Sequence, residues 1–155
     1  DDRDGVRTPM QWDDSPGAGF SDAPLEEFYA PLIGDETYGY EKVNVDAQRK
    51  AANSLLNRLR RMIQVRKNYL VFGRGGMQLV DAQPKSVLAY LRTSVNETMC
   101  ILNNLSSESQ DVTVQLSEPE GTAPIDVLTG KRLPQISRTP YTLTLEPYDY
   151  RWLRL

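Results

Sequence analysis

From Asn53 onward the apolar residues of this chain fall on one side of a helix. Leu55, Leu56, Leu59, Met62, Ile63, Tyr69 and Leu70 share one arc at about 100° per residue, while Arg58, Arg60, Arg61 and Lys67 fall on the opposite arc. Asn53 or Ser54 is placed to cap the first turn, so the spacing predicts an amphipathic helix of about four turns. Arg66 breaks the pattern because its angle lies inside the apolar arc. It is either a snorkelling stem or a charge paired with a carboxylate across a domain interface.

Past Phe72-Gly73-Arg74-Gly75-Gly76 the period drops to two. Val112, Val114 and Leu116 alternate with Thr113 and Gln115, and Tyr141, Leu143 and Leu145 alternate with Thr142 and Thr144. Shorter apolar runs at 77–80, 87–91, 99–102, 125–128 and 150–155 bring the count to about seven strands, separated by turn residues such as Gln83-Pro84-Lys85 and Pro119-Glu120-Gly121. Short strands at this spacing predict an antiparallel sandwich. The glycine stretch reads as the hinge between helix and sandwich. It is no phosphate cradle, since no helix opening on Lys-Ser/Thr follows it.

Residues 1–46 show neither period. They carry Pro at 9, 16, 24 and 31 and several turn clusters, which predicts a long irregular segment. Its aromatic residues Trp12, Phe20, Phe28, Tyr29, Tyr38 and Tyr40 argue against plain disorder and for a loop that packs on something else.

Charge sharpens this division. Residues 1–46 carry a net −9, residues 47–75 hold eight basic and no acidic side chains, and the whole 155-residue chain nets −3. The basic block coincides with the helical pattern and has an acidic neighbour to complement it, so it does not read as a nucleic-acid patch.

With no His and a single Cys, every Ser-His-Asp triad, Cys-His pair and His-ligated zinc centre is excluded. Cys100 sits in a predicted strand and reads as a small buried hydrophobe. Asp1, Asp2 and Asp4 with Gly5 echo the opening of a calcium loop without its later ligands. Asp13-Asp14 and Glu26-Glu27 could supply a glycosidase pair, although neighbouring acids on a polar loop more often face solvent. Tyr90, Tyr148, Tyr150 and Trp152 could stack on sugars or pack in the core. No stretch reaches the ~20 apolar residues of a membrane span, and the start lacks a signal peptide's blocks. The chain opens on Asp1 rather than Met, so it is expected to be cut from a longer protein. Low Cys usage gives the cytoplasm as the default compartment.

The segment Asp2-Arg3-Asp4-Gly5-Val6-Arg7-Thr8-Pro9-Met10-Gln11-Trp12 is similar to the loop after the eighth strand of the catalytic barrel in the α-amylase superfamily, glycoside hydrolase family 13. Its Arg7-to-Trp12 string resembles the group of that family containing oligo-1,6-glucosidases, sucrose isomerases and trehalose synthases, and Gly5-Val6 looks like the branch that isomerises maltose. Ala18-Gly19-Phe20-Ser21, Tyr38-Gly39-Tyr40, Asn53-Ser54-Leu55-Leu56 and Val65-Arg66-Lys67 look similar too, as do Val87-Leu88-Ala89-Tyr90 and Asn103-Asn104-Leu105-Ser106 in the sandwich.

The resemblance implies an α+β fragment. Residues 1–72 would be the last loop and helix of a (β/α)8 barrel, and residues 73–155 an all-β antiparallel C-terminal sandwich. It implies that the parent is a retaining enzyme passing α-glucosyl groups between maltose and trehalose, with hydrolysis of short α-glucosides as the alternative. By position Arg7 matches the arginine holding the non-reducing glucose; its plainer role is a structural ion pair. Gln11 and Trp12 would brace the loop beside it. The family's catalytic carboxylates sit on earlier strands, so no catalytic residue is assigned in this chain, and by itself it is expected to be inactive. No cofactor or metal is expected in this chain, with calcium possible elsewhere in the parent. The implied partners are short α-glucosides and the upstream barrel, not nucleic acid or a membrane. Rivals of another class are a carbohydrate-binding sandwich resting on Tyr90, Tyr148 and Trp152, and an interaction domain whose exposed apolar helix face docks onto the missing barrel.

Overall fold

Alternation at Val112 and Val114, and at Tyr141 and Leu145, buries these four side chains on one face of a sheet. The computed structural model describes residues 7–117, 119–137 and 140–155, and the chain divides into two units, Asp1–Arg61 and Met62–Leu155. In the second unit the strands are β1 (Gly76–Leu79), β2 (Ala82–Gln83), β3 (Val87–Thr93), β4 (Thr98–Asn104), β5 (Gln110–Val114), β6 (Ile125–Asp126), β7 (Tyr141–Leu145) and β8 (Tyr150–Arg154). They form a five-stranded sheet ordered β1-β3-β4-β8-β6 and a three-stranded sheet ordered β2-β5-β7. All pairings are antiparallel.

Val87, Ala89, Cys100, Leu102 and Leu153 from the larger sheet meet Val112, Val114, Tyr141 and Leu145 from the smaller one in a single apolar core. Leu91, Cys100 and Leu153 stand in register across β3, β4 and β8. Cys100 is thus the small buried hydrophobe that its strand position predicts.

The seven predicted strands are present, with several ends trimmed and one addition. β5 ends at Val114, before Leu116. β6 stops at Asp126 because that carboxylate accepts the Leu128 N–H at 3.0 Å and the Thr129 hydroxyl at 2.9 Å, turning the chain. The added strand, β2, has two residues, too short to show a period.

The other face of the larger sheet is covered from within the same unit. Tyr90, Ile101 and Trp152 align in register across β3, β4 and β8. Onto them, with Met99, pack Val71 and Phe72 of a short helix, α3 (Val71–Arg74), and Tyr69 just before it. The Phe72 and Trp152 rings lie 4.8 Å apart at 47°. This corrects the reading of the glycine stretch as a hinge. A Cβ on Gly75 would meet the Val71 carbonyl oxygen at 2.7 Å and the Thr93 oxygen at 2.9 Å, so the glycine permits a close crossing.

The first unit holds helix α1 (Val45–Lys50) and the start of helix α2 (Leu55–Asn68). α1 is six residues long, below the length at which periodicity shows. Of the two cap candidates for α2, Ser54 serves, its Oγ accepting the Asn57 N–H at 3.2 Å. The side chains of α2 are exposed or half-buried throughout. Arg66 is among the exposed ones, and so are Leu55, Leu59 and Ile63 of the predicted apolar arc.

Candidate functional site

Residues 7–50 lack a sheet ladder, so their backbone groups are satisfied by side chains and turns. Asp35 Oδ1 accepts the N–H groups of Thr37 and Tyr38 at 2.8 and 2.7 Å. These two bonds, Tyr38 first, hold its carboxyl below the ordinary value of 3.8. Gln11 Nε2 donates to the carbonyls of Tyr38 (3.0 Å) and Val43, tying the start of the segment to its end.

Gln11 and Trp12 also present their own carbonyls to the N–H groups of Val45 and Asp46, both at 2.9 Å. Buried Asn44 completes the end of α1, with Oδ1 taking the Ala47 N–H at 2.7 Å and Nδ2 donating to the Tyr40 carbonyl at 2.8 Å. Every orphan donor in the first turn of α1 therefore has a partner. At the other end Asn57 Nδ2 lies within 3.1 Å of the carbonyls of Gln48, Arg49 and Ala51.

Between Trp12 and Phe20 the chain makes an unusual turn. Gly17, Ala18 and Gly19 are all left-handed, with φ of 74°, 57° and 62°. The N–H groups of Trp12 and Asp13 both reach the Ala18 carbonyl, at 2.8 and 3.3 Å. Asp13 Oδ1 accepts the hydroxyl and, at 2.9 Å, the N–H of Ser15, and these bonds hold its carboxyl below 3.8, the hydroxyl contributing most. Asp13 is thus a turn residue, its Oδ1 engaged by Ser15.

The turn delivers Phe20 to Phe28, ring centroids 6.0 Å apart at 59°. The two rings, with Arg7, Glu27 and Tyr29, line a cleft of about 320 Å³. Arg7 is exposed at its rim. Of the predicted site residues, then, Arg7 lies in this cleft, whereas Gln11 and Trp12 do not line it. The acids singled out at 26 and 27 separate as well, with Glu27 in the cleft and Glu26 outside it. Phe20 and Phe28 were not singled out for this site; the glycines flanking Ala18 were the available signal.

Beside the cleft lies a broader apolar trough of about 610 Å³, lined by Met10, Ile33, Tyr38, Val43, Leu55 and Leu59 among others. Elsewhere, Tyr90 and Trp152 are half-buried against the Met99–Ile101 cluster, while Tyr148 stands 66% exposed at φ 55°. They form no exposed aromatic row. Asp1, Asp2, Asp4 and Gly5, which echo a calcium loop, lie outside the described residues, as does Val6 of the Gly5-Val6 pair. Among the described residues no group of three or more acidic or Cys side chains is gathered as for a metal ion, and no helix is long and apolar enough to cross a membrane.

An irregular, side-chain-braced segment and its helices, followed by an antiparallel sandwich, is the layout of the end of an amylase catalytic domain with its C-terminal domain. Residues 1–75 match the family profile "Alpha amylase, catalytic domain", and residues 77–152 match "Maltogenic Amylase, C-terminal domain". The chain belongs to the α-amylase family, glycoside hydrolase family 13. Within it, the chain is 39% identical to the trehalose synthase/amylase TreS of Mycobacterium tuberculosis over 99% of its own length and 26% of that protein's. It is 38% identical to the trehalose synthase of a Pimelobacter species, over 99% of this chain and 28% of that one. A crystal structure of a trehalulose synthase in complex with Tris superposes with a TM-score of 0.72 at 23% identity, covering 99% of this chain and 26% of that one, which shows the shared fold. The chain thus spans about a quarter of the length of these relatives.

Proposed function

We propose that this chain is the C-terminal portion of a retaining α-glucosyl-transferring enzyme that interconverts maltose and trehalose. The observation that carries this reading is its likeness, over 99% of its length, to proteins named trehalose synthase. In the proposed reaction a carboxylate of the rest of the catalytic domain displaces glucose from the α-1,4 bond of maltose, leaving a covalent glucosyl-enzyme. The departing O4 takes a proton from the acid residue. The anomeric hydroxyl of the retained glucose then attacks the glucosyl carbon, breaking its bond to the enzyme carboxylate, the proton passing back to the acid residue, and the product is the α,α-1,1 disaccharide. Water in place of that glucose gives hydrolysis, so a closed site is needed.

The contribution of this chain is positioning. Arg7 offers a rigid guanidinium fork suited to sugar hydroxyls and to a neighbouring carboxylate. Gln11 and Trp12 brace the loop through the hydrogen bonds to Tyr38, Val43, Val45 and Asp46. The exposed apolar trough, with Met10, Leu55 and Leu59 in its lining, is the seat of the preceding catalytic domain. The sandwich stabilises the barrel through the residues leading into it. With its catalytic carboxylates supplied from elsewhere, this chain alone is inactive and takes no cofactor of its own.

Incubating the full-length enzyme with maltose and resolving trehalose, glucose and maltose by chromatography tests the reading. Mostly trehalose is the expected result. Glucose alone would make the parent an α-glucosidase, and no turnover by the full-length protein would leave the sandwich as a binding module.

A further inference from the structure

We infer that Phe20 and Phe28 form the wall on which the departed glucose is retained, next to the glucosyl ring that Arg7 would hold, and that this wall sets how much of that glucose is returned to the glucosyl carbon rather than lost to water. The inference rests on the transferase reading above and names the residues that would govern its partition.

The chemistry of the cleft points to a sugar. Arg7 and Glu27 supply a charged donor fork and an acceptor for hydroxyls, and the phenyl faces of Phe20 and Phe28 offer apolar surface for the C–H face of a pyranose. Apolar walls with a few polar groups are the common make-up of a small-molecule site, and a volume of about 320 Å³ stands at the lower end of the range such sites occupy. It suits one monosaccharide rather than an oligosaccharide.

Backbone strain supports the same reading. A left-handed backbone is disfavoured for a residue bearing a Cβ, and Ala18 adopts that conformation between two left-handed glycines. Gly19 is also hemmed in, since a Cβ there would lie 2.5 Å from Asp13 Oδ2. The strained turn, locked by Asp13 and Ser15, leaves Phe20 51% exposed yet tilted against Phe28. Strain held this firmly next to an open cleft marks a position fixed for a ligand.

The experiment compares Phe20→Ala, Phe20→Leu and Phe28→Ala with the wild type in the full-length enzyme, reading product ratio, KM for maltose and thermal midpoint. Expected is a trehalose-to-glucose ratio roughly three- to tenfold lower in each variant, since that is the worth of an aromatic contact beyond its area. Phe20→Leu keeps most of the volume and guards against misfolding. An unchanged ratio in variants that fold would overturn the inference, and a lowered thermal midpoint alone would make these rings packing between domains. A wild type that yields only glucose defeats the transferase reading instead. The wall is then judged by KM, which rises in all three variants if it holds the sugar and stays put if it does not.

Discussion

Arg92 donates through Nη2 to the carbonyl oxygen of Phe72 at 2.9 Å, with its Nε 3.4 Å from the carbonyl of Val71. A strand side chain thereby takes up carbonyls of a helix that would otherwise end against an apolar cluster. Replacing it by Met keeps the stem and removes both donors. Arg92→Met is expected to cost about 1.5–3 kcal/mol, the range for hydrogen bonds to a charged group, in urea unfolding of the full-length enzyme. Arg92→Lys should recover only part of this, because one ammonium cannot reproduce the fork.

Gly19 tests the left-handed turn. With φ at +62° and Asp13 Oδ2 at 2.5 Å from a built Cβ, Gly19→Ala is expected to lower stability by about 1–2 kcal/mol. Combining it with Asp13→Ala removes the clash, so the double variant should lose less than the two single losses added together. Strict additivity in that cycle would contradict the close approach.

Acid sensitivity follows from Asp13 and Asp35. Both carboxyls are held below 3.8 in the fold, Asp13 by Ser15 and Asp35 by the Tyr38 and Thr37 amides. A folded pKa below the unfolded one stabilises the protein above the unfolded value, and this is lost as the pH falls through the folded one. Asp13→Asn and Asp35→Asn should therefore lower the thermal midpoint near neutral pH, and the gap to wild type should close below about pH 4.

Burial pushes the Cys100 thiol up to about 12. At about pH 8 it should resist a thiol reagent in the folded protein and react only as fast as the chain opens. Cys100→Ser, which puts a hydroxyl among Leu91, Leu153 and their neighbours, is expected to cost about 1–3 kcal/mol. Labelling of the native protein within seconds would show the strand to be open.

Arg7 carries the functional expectation. Arg7→Ala in the full-length enzyme should lower kcat/KM for maltose at least about tenfold, equivalent to about 1.4 kcal/mol of transition-state binding. Unchanged kinetics would remove Arg7 from the site and leave it as an ion-pairing residue of the loop.

Much of the second unit was legible because a sheet with one buried face writes its period into the sequence, as Val112, Val114, Tyr141 and Leu145 do. The helix at Leu55 was legible from its apolar arc and its Ser54 cap. What escaped was short or non-periodic. α1 depends on Asn44 and on carbonyls more than thirty residues upstream, and β2 has two residues. The Phe20–Phe28 pair depends on three successive left-handed residues, a conformation that the Gly-Ala-Gly spelling permits but does not demand. Arg7 is singled out only by the resemblance of its six-residue string, and no physical pattern in the sequence places it beside those rings.

The crossing at Gly75 bears on how this region can be exchanged between enzymes. By ancestry the chain divides between residues 75 and 77, where one family profile ends and the next begins. By packing it divides between Arg61 and Met62, because Val71 and Phe72 belong with Met99, Ile101 and Trp152. A chimera spliced at the ancestral boundary inherits a foreign plug against the outer face of its sheet. A splice ahead of Met62 transplants the plug with its socket, so the transferable module is longer than the domain that carries its name.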